Sequence, residues 1–330
     1  MARKPGGVGE ALVALLAASI LALLKRVPLS LARPLGRLIG AVSFRFFHDE
    51  RQRAIENLAR IGGGSLRLDT RRHLARRVFQ NLGQSFVDTL ITSRLGTERA
   101  ISSLGVEGAA DLRERFEELS DEGRGVIVVS AHLGNWELEG GLLDHCYPRQ
   151  VICIARRYER PYQQRLLERL RAGIGTPLRY QDESVRELLR LLKGGGLVGL
   201  LPDIDIRRVQ GIHIPFLGSP AHTTTAPAQL AISTGAAIQT VFVIRTPRGY
   251  SVEIGAVIDP ADHLEGRDPV LSVTRAWTLE VERAIRTHPE QWVWMHDRWR
   301  STPEVVERRN RRRASRDEQS RRLSRSGSGA

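Results

Sequence analysis

Four branched apolar residues, Val126-Ile127-Val128-Val129, stand between Gly125 and Ser130. A run this short, apolar on both sides and closed by a glycine, predicts a strand buried on both faces rather than one turn of an amphipathic helix. Similar runs recur along the chain. Gln150 to Ala155 and Leu197 to Leu201 read as further strands, the latter ending at Pro202-Asp203. Ala237 to Arg245 and Tyr250 to Val257 read as two more, separated by the turn Pro247-Arg248-Gly249. Between and after them the apolar spacing changes to three and four residues, predicting helices over Leu138 to His145, Pro161 to Arg171, Ser184 to Leu192, Thr225 to Thr234 and Leu271 to Ile285. Alternation of this kind implies an α/β fold, with a central, largely parallel or mixed sheet flanked by helices. Ligands of such sheets bind beyond the carboxyl ends of the strands, where His132 and Asp203 both fall.

The first hundred residues read as mostly helical. Arg51 to Arg60 and Arg71 to Leu90 carry helical periodicity, with Gly62-Gly63-Gly64 as a break. Arg3 and Lys4 precede an apolar run from Ala11 to Leu24, followed by Lys25 and Arg26. As a helix the run spans about 21 Å, short of the ~30 Å hydrocarbon core. It fits a tilted or re-entrant anchor, an interfacial helix or a buried core helix. A signal peptide is disfavoured by the basic flank and the want of a prompt small-x-small cleavage site. Leu35 to Phe47 places Arg37 and Arg45 among apolar residues, the pattern of a helix lying on a membrane surface. The expected division is therefore residues 1–48 as membrane-associated helices, 49–300 as the catalytic domain, and 301–330 as a disordered tail with nine arginines against four acids.

The formal net charge of +13 favours an anionic partner: nucleic acid, an acidic protein or an anionic membrane. Aromatics are only 5%, and no nucleic-acid motif is present, which counts against the first. Cys146 and Cys153 have no metal-type spacing and read as plain thiols. Gly194-x-Gly196-x-x-Gly199 fits a dinucleotide fingerprint in form, but it precedes a strand, so no phosphate-cradling helix follows. With no Walker loop, no G-x-S-x-G elbow and no H-E-x-x-H, covalent catalysis, a metal and a bound cofactor all lack a motif.

One constellation carries a chemical logic. His132-Leu133-Gly134-Asn135-Trp136-Glu137 begins just past a strand. A neutral imidazole can take the proton of an alcohol attacking an acyl carbonyl, while a carboxylate on its other ring nitrogen fixes the tautomer. Regular helix would set His132 and Glu137 about 140° apart, so the chain must turn, and Gly134 permits this.

Ala131 to Glu137 resembles the signature of the bacterial lipid A biosynthesis acyltransferases, within the lysophospholipid acyltransferase superfamily, and of the related phosphatidylinositol mannoside acyltransferases. Further stretches match in order: Arg53 to Leu58, Phe79-Gln80-Asn81-Leu82-Gly83, Leu201-Pro202-Asp203-Ile204-Asp205, Ile214 to Gly218, Thr223-Thr224-Thr225, Leu230-Ala231, Thr234-Gly235-Ala236, and Pro289 to His296. The resemblance implies transfer of a fatty acyl chain from a thioester to a hydroxyl of a glycolipid, with His132 as base and Glu137 as its partner. Arg156, Arg157 and Arg171 fall in the family's basic segment and are candidates for phosphates or the thioester oxygen. Asn135, Trp136, Asp203 and Asp205 join them as candidate substrate-side residues. At Arg160 an arginine stands where the family usually has asparagine. His213, His222, His288 and His296 are expected to be structural. The expected donor is an acyl carrier protein thioester, with acyl-CoA as the alternative. The expected acceptor is an anionic glycolipid of lipid A precursor type at the cytoplasmic face of a bacterial inner membrane, with a phosphatidylinositol mannoside as the alternative. The competing reading from another class is a basic scaffold for membrane or nucleic acid that performs no chemistry.

Overall fold

In the computed structural model, which describes residues 28–158, 160–206 and 209–308, the run Val126–Val129 lies at the middle of the main sheet. In chain order the elements are helix α1 (Leu29–Phe46), α2 (His48–Asn57), a 3-10 turn, α3 (Leu68–Leu95), α4 (Thr97–Leu104), strand β1 (Val106–Glu107), α5 (Ala109–Asp121) and β2 (Val126–Val129). Next come α6 (Trp136–Cys146), β3 (Val151–Ala155), α7 (Pro161–Ile174), β4 (Leu178–Tyr180), α8 (Val185–Lys193) and β5 (Leu197–Leu200). A hairpin of β6 (Gly211–Phe216) and β7 (Ser219–Thr224) follows, then α9 (Ala226–Thr234), β8 (Ala237–Arg245), β9 (Tyr250–Ile258), a second 3-10 turn and α10 (Pro269–Thr287).

The seven-stranded sheet has the order β1-β9-β8-β2-β5-β3-β4. Every pairing in it is parallel except β8 with β9. The α/β expectation and its five strands are found. The chain adds β1, β4 and the separate hairpin, which are short, or polar and proline-bearing, and so give little periodic signal. All four residues of β2 are fully buried, because both faces of the sheet are covered. Ile127 and Val129 enter one core with α9, α10 and the tryptophans near residue 292. Val126 and Val128 enter the other, with α3, α4, α5 and α6. That is the period-two alternation of a strand serving two hydrophobic layers.

Residues 35–46 belong to α1, which is docked on α3 rather than standing apart. The crossing is made by glycines: a Cβ on Gly36 or Gly40 would strike the backbone of α3 near Gln84 or Phe79, and one on Gly83 would strike α1. Leu31, Leu38, Val42, Phe46 and Phe47 remain exposed. Among the described residues no helix is long and apolar enough to cross a membrane. The apolar run 11–24 and most of the basic tail lie outside the described residues; of the tail, residues 303–308 form a helical turn.

Candidate active site

Strands β2 and β5 are parallel neighbours in which Val129 pairs with Leu200. His132 and Asp203 lie the same three residues beyond those partners, so the two loops leave the sheet side by side. The ladder continues one step further, with Ser130 N donating to Leu200 O at 2.9 Å. Asp203 then receives three donors: His132 Nδ1 at 2.8 Å, the His132 backbone N–H at 2.9 Å and the Trp292 indole N–H at 2.8 Å. It has no exposure to solvent, while the His132 side chain keeps 20%.

This changes the expected partnership. Asp203, not Glu137, holds the second ring nitrogen of His132. Glu137 instead forms a two-pronged ion pair with Arg171 of α7, at 2.8 and 2.7 Å. The cause is topological: Glu137 starts α6 and points to α7, whereas Asp203 reaches the imidazole from the adjacent strand end.

Burial raises the pKa of a carboxylate, but the charge of His132 and its three hydrogen bonds prevail and hold Asp203 well below the usual range. An ionised carboxylate only accepts, so Nδ1 must carry the proton and Nε2 is left with its lone pair. For His132, burial opposes the cation, yet the charge and hydrogen bond of Asp203 outweigh it, and the pKa is raised. His296 lies beside it, ring centroids 5.7 Å apart, with its pKa pushed down to about 4 by burial and by His132. It is therefore neutral at physiological pH. The Trp136 ring stands 5.3 Å from that of His132 on another side.

The turn from His132 to α6 is fixed by backbone constraints. Gly134 has φ +63°, and a Cβ there would collide with the Val243 carbonyl. Asn135 caps α6 by accepting from Leu138 N at 3.2 Å, and it is buried. Beneath it Tyr250 accepts from Asn135 Nδ2 and donates to Asp88, Thr89 donates to Asn135, and Ser85 donates to the Gly134 carbonyl. Arg245 completes this buried group through Asp88 at 2.9 Å.

The remaining expected site residues separate. Arg171 is at the site through Glu137, and Trp136 through its ring contact. Arg157 is drawn away: it pairs with Asp182 and Glu183 and stacks on Tyr180. Arg156 is exposed and makes no hydrogen bond or ion pair with the described residues of the site. Asp205 is buried but anchors the segment near residue 300, through Ser301 N, Arg300 and His222. His213 and His222 are structural there, as expected. His296 and Trp292 were legible only as parts of a C-terminal motif. A tryptophan and a histidine four residues apart carry no catalytic signal until the sheet places them. Both cysteines are buried and free, their thiols pushed up to about 11 (Cys146) and about 12 (Cys153) by burial, which suits neither to nucleophilic attack at neutral pH.

The family model for bacterial lipid A biosynthesis acyltransferase matches residues 8–301. The chain belongs to the bacterial lipid A biosynthesis acyltransferase family. A lipid A biosynthesis palmitoleoyltransferase of Escherichia coli (strain K12) is 26% identical over 279 residues, covering 82% of this chain and 85% of the relative. A lipid A biosynthesis lauroyltransferase of the same organism is 24% identical over 291 residues, covering 87% and 91%. A phosphatidylinositol mannoside acyltransferase of Mycobacterium tuberculosis (strain ATCC 25618 / H37Rv) is 25% identical over 181 residues, covering 54% and 55%. As a member of the lipid A acyltransferase family the protein is an enzyme of lipid acyl transfer, and the non-catalytic scaffold falls away. The family match spans His132, Asp203, Trp292 and His296 together.

Proposed function

We propose that the protein moves a fatty acyl chain from an acyl carrier protein thioester to a hydroxyl of an anionic glycolipid, working at the cytoplasmic face of a bacterial inner membrane. The observation that carries the reading is the buried Asp203 on Nδ1 of His132, which leaves Nε2 as the base. The acceptor hydroxyl gives its proton to Nε2 as its oxygen bonds to the thioester carbon. Asp203 stabilises the imidazolium so formed. Arg171, held by Glu137, offers positive charge to the developing oxyanion. On collapse the carbon–sulfur bond breaks, and the imidazolium returns the proton to the departing thiolate. Glu137 acts here by positioning Arg171, not by touching the base.

Two features support an amphiphilic, anionic acceptor: the net charge of +13 and the apolar stripe of α1. The match to phosphatidylinositol mannoside acyltransferases favours, as a second reading, a glycolipid of that class with acyl-CoA as donor. Mass spectrometry of lipids from cells with and without the gene distinguishes them. The expected result is one lipid class lighter by a single acyl chain when the gene is absent. An unchanged lipid profile would contradict the proposal.

A further inference from the structure

A cavity of about 720 Å³ lies between α1, α3 and the segments around residues 245 and 290. Arg33 and Arg37 of α1, Arg77 of α3 and Arg245 at the end of β8 line it, against one carboxylate, Glu290. Two of the arginines, Arg33 and Arg37, face no acid among the described residues, while Arg77 and Arg245 each meet one. Arg33 donates to the carbonyls of Leu104 and Arg248, which fix its position but carry no charge. Arg37 is exposed and makes no hydrogen bond or ion pair with a described residue. Arg77 reaches Glu290 only at 3.5 Å, with half its side chain in solvent. Arg245 is buried and bonded to Asp88, yet its Nε has no partner. Four guanidinium groups from three elements, with Asp88 and Glu290 offsetting two of them, leave an excess of positive charge that suits a phosphate, whose oxygens accept two-pronged contacts.

The cavity opens next to an apolar surface. At about 100° per residue, Leu31, Leu38, Val42 and Phe46 form one stripe of α1, and all are exposed. Leu38 belongs both to the stripe and to the cavity wall. A ligand that fills the pocket with its phosphate therefore extends along an apolar face. The size, about that of an ordinary small-ligand pocket, leaves room for a headgroup rather than a bare ion.

We propose that this cavity binds the phosphate of a membrane lipid headgroup, with the α1 stripe set against the lipid chains, and so seats the enzyme on the bilayer. The inference rests on the lipid reading above, but its test does not use acyl transfer, so the two can fail separately. Co-sedimentation of the full chain with phosphatidylcholine vesicles, with and without phosphatidylglycerol, gives the readout. Arg37→Gln with Arg77→Gln removes two exposed or half-exposed charges and leaves the buried Arg245 group intact. Arg99→Gln with Arg113→Gln, on α4 and α5, removes the same charge elsewhere. The expected result is a loss of affinity for the phosphatidylglycerol vesicles of about tenfold or more in the cavity variant, with the control close to wild type. Equal loss in both variants, or none in the cavity variant, would overturn the site. Thermal protection by inorganic phosphate that disappears in the cavity variant, while vesicle binding is unchanged, would assign the cavity to a soluble phosphate and overturn the lipid source.

Discussion

On the proposed reading His132 takes a proton only while it is neutral: Asp203 keeps the ring proton on Nδ1 and so leaves Nε2 free, while its charge raises the pH at which the ring becomes neutral. In the wild type, kcat/KM should rise with pH as the imidazole loses its proton, with a midpoint above the ordinary value of about 6.5. Asp203→Asn removes the charge that raises the midpoint and leaves burial, which lowers it. The pH profile should move to lower pH, and the plateau should fall by about a hundred- to ten-thousandfold as the tautomer is no longer fixed. A profile with an unmoved midpoint would mean that another group is titrating. The pairing was hidden in the sequence for a definite reason. Glu137 is five residues from His132 and Asp203 seventy-one, so proximity along the chain points to Glu137, which pairs with Arg171 instead. Only the parallel pairing of Val129 with Leu200 brings Asp203 alongside the imidazole.

Among the elements, α1 and α3 show how small residues set a function-bearing surface. Gly36 and Gly40, one helical turn apart, let α1 approach the backbone of α3, and that approach holds Arg33 and Arg37 opposite Arg77. Gly40→Leu places a side chain where the Phe79 carbonyl and Gln80 backbone already are. The helices would have to part, which should lower stability by about 1–3 kcal/mol or more and expose α1 to limited proteolysis. An unchanged Tm would show that the crossing tolerates separation. Elements of this kind differ in legibility. Long helices and the branched strands β2, β3, β5, β8 and β9 announce themselves by period. The two-residue β1 and the hairpin carrying Pro215 and Pro220 do not, because their place is decided by neighbours in the sheet or in each other. The apolar stretch 35–47 reads as a membrane-surface helix; the structure shows a helix over residues 35–46 with exposed apolar side chains, and its glycine-lined contact with α3 is not visible from hydropathy.

Across the whole molecule, an excess of thirteen positive charges acts over distances longer than any single contact. If the donor is an acidic carrier protein, this field should speed encounter, and kcat/KM for that donor should fall as salt rises from about 0.01 to 0.15 M, where the Debye length shrinks from ~30 to ~8 Å. A flat response would argue for a donor that is not steered by charge. Family membership makes the molecule a lipid acyltransferase, and the proposal puts that chemistry at the loops beyond β2 and β5. The most direct test is the initial rate of acyl transfer by purified His132→Ala, with Tm recorded on the same sample. The expected result is a rate lower by about a hundred- to ten-thousandfold in a folded protein; a folded variant working at the wild-type rate would contradict His132 as the base.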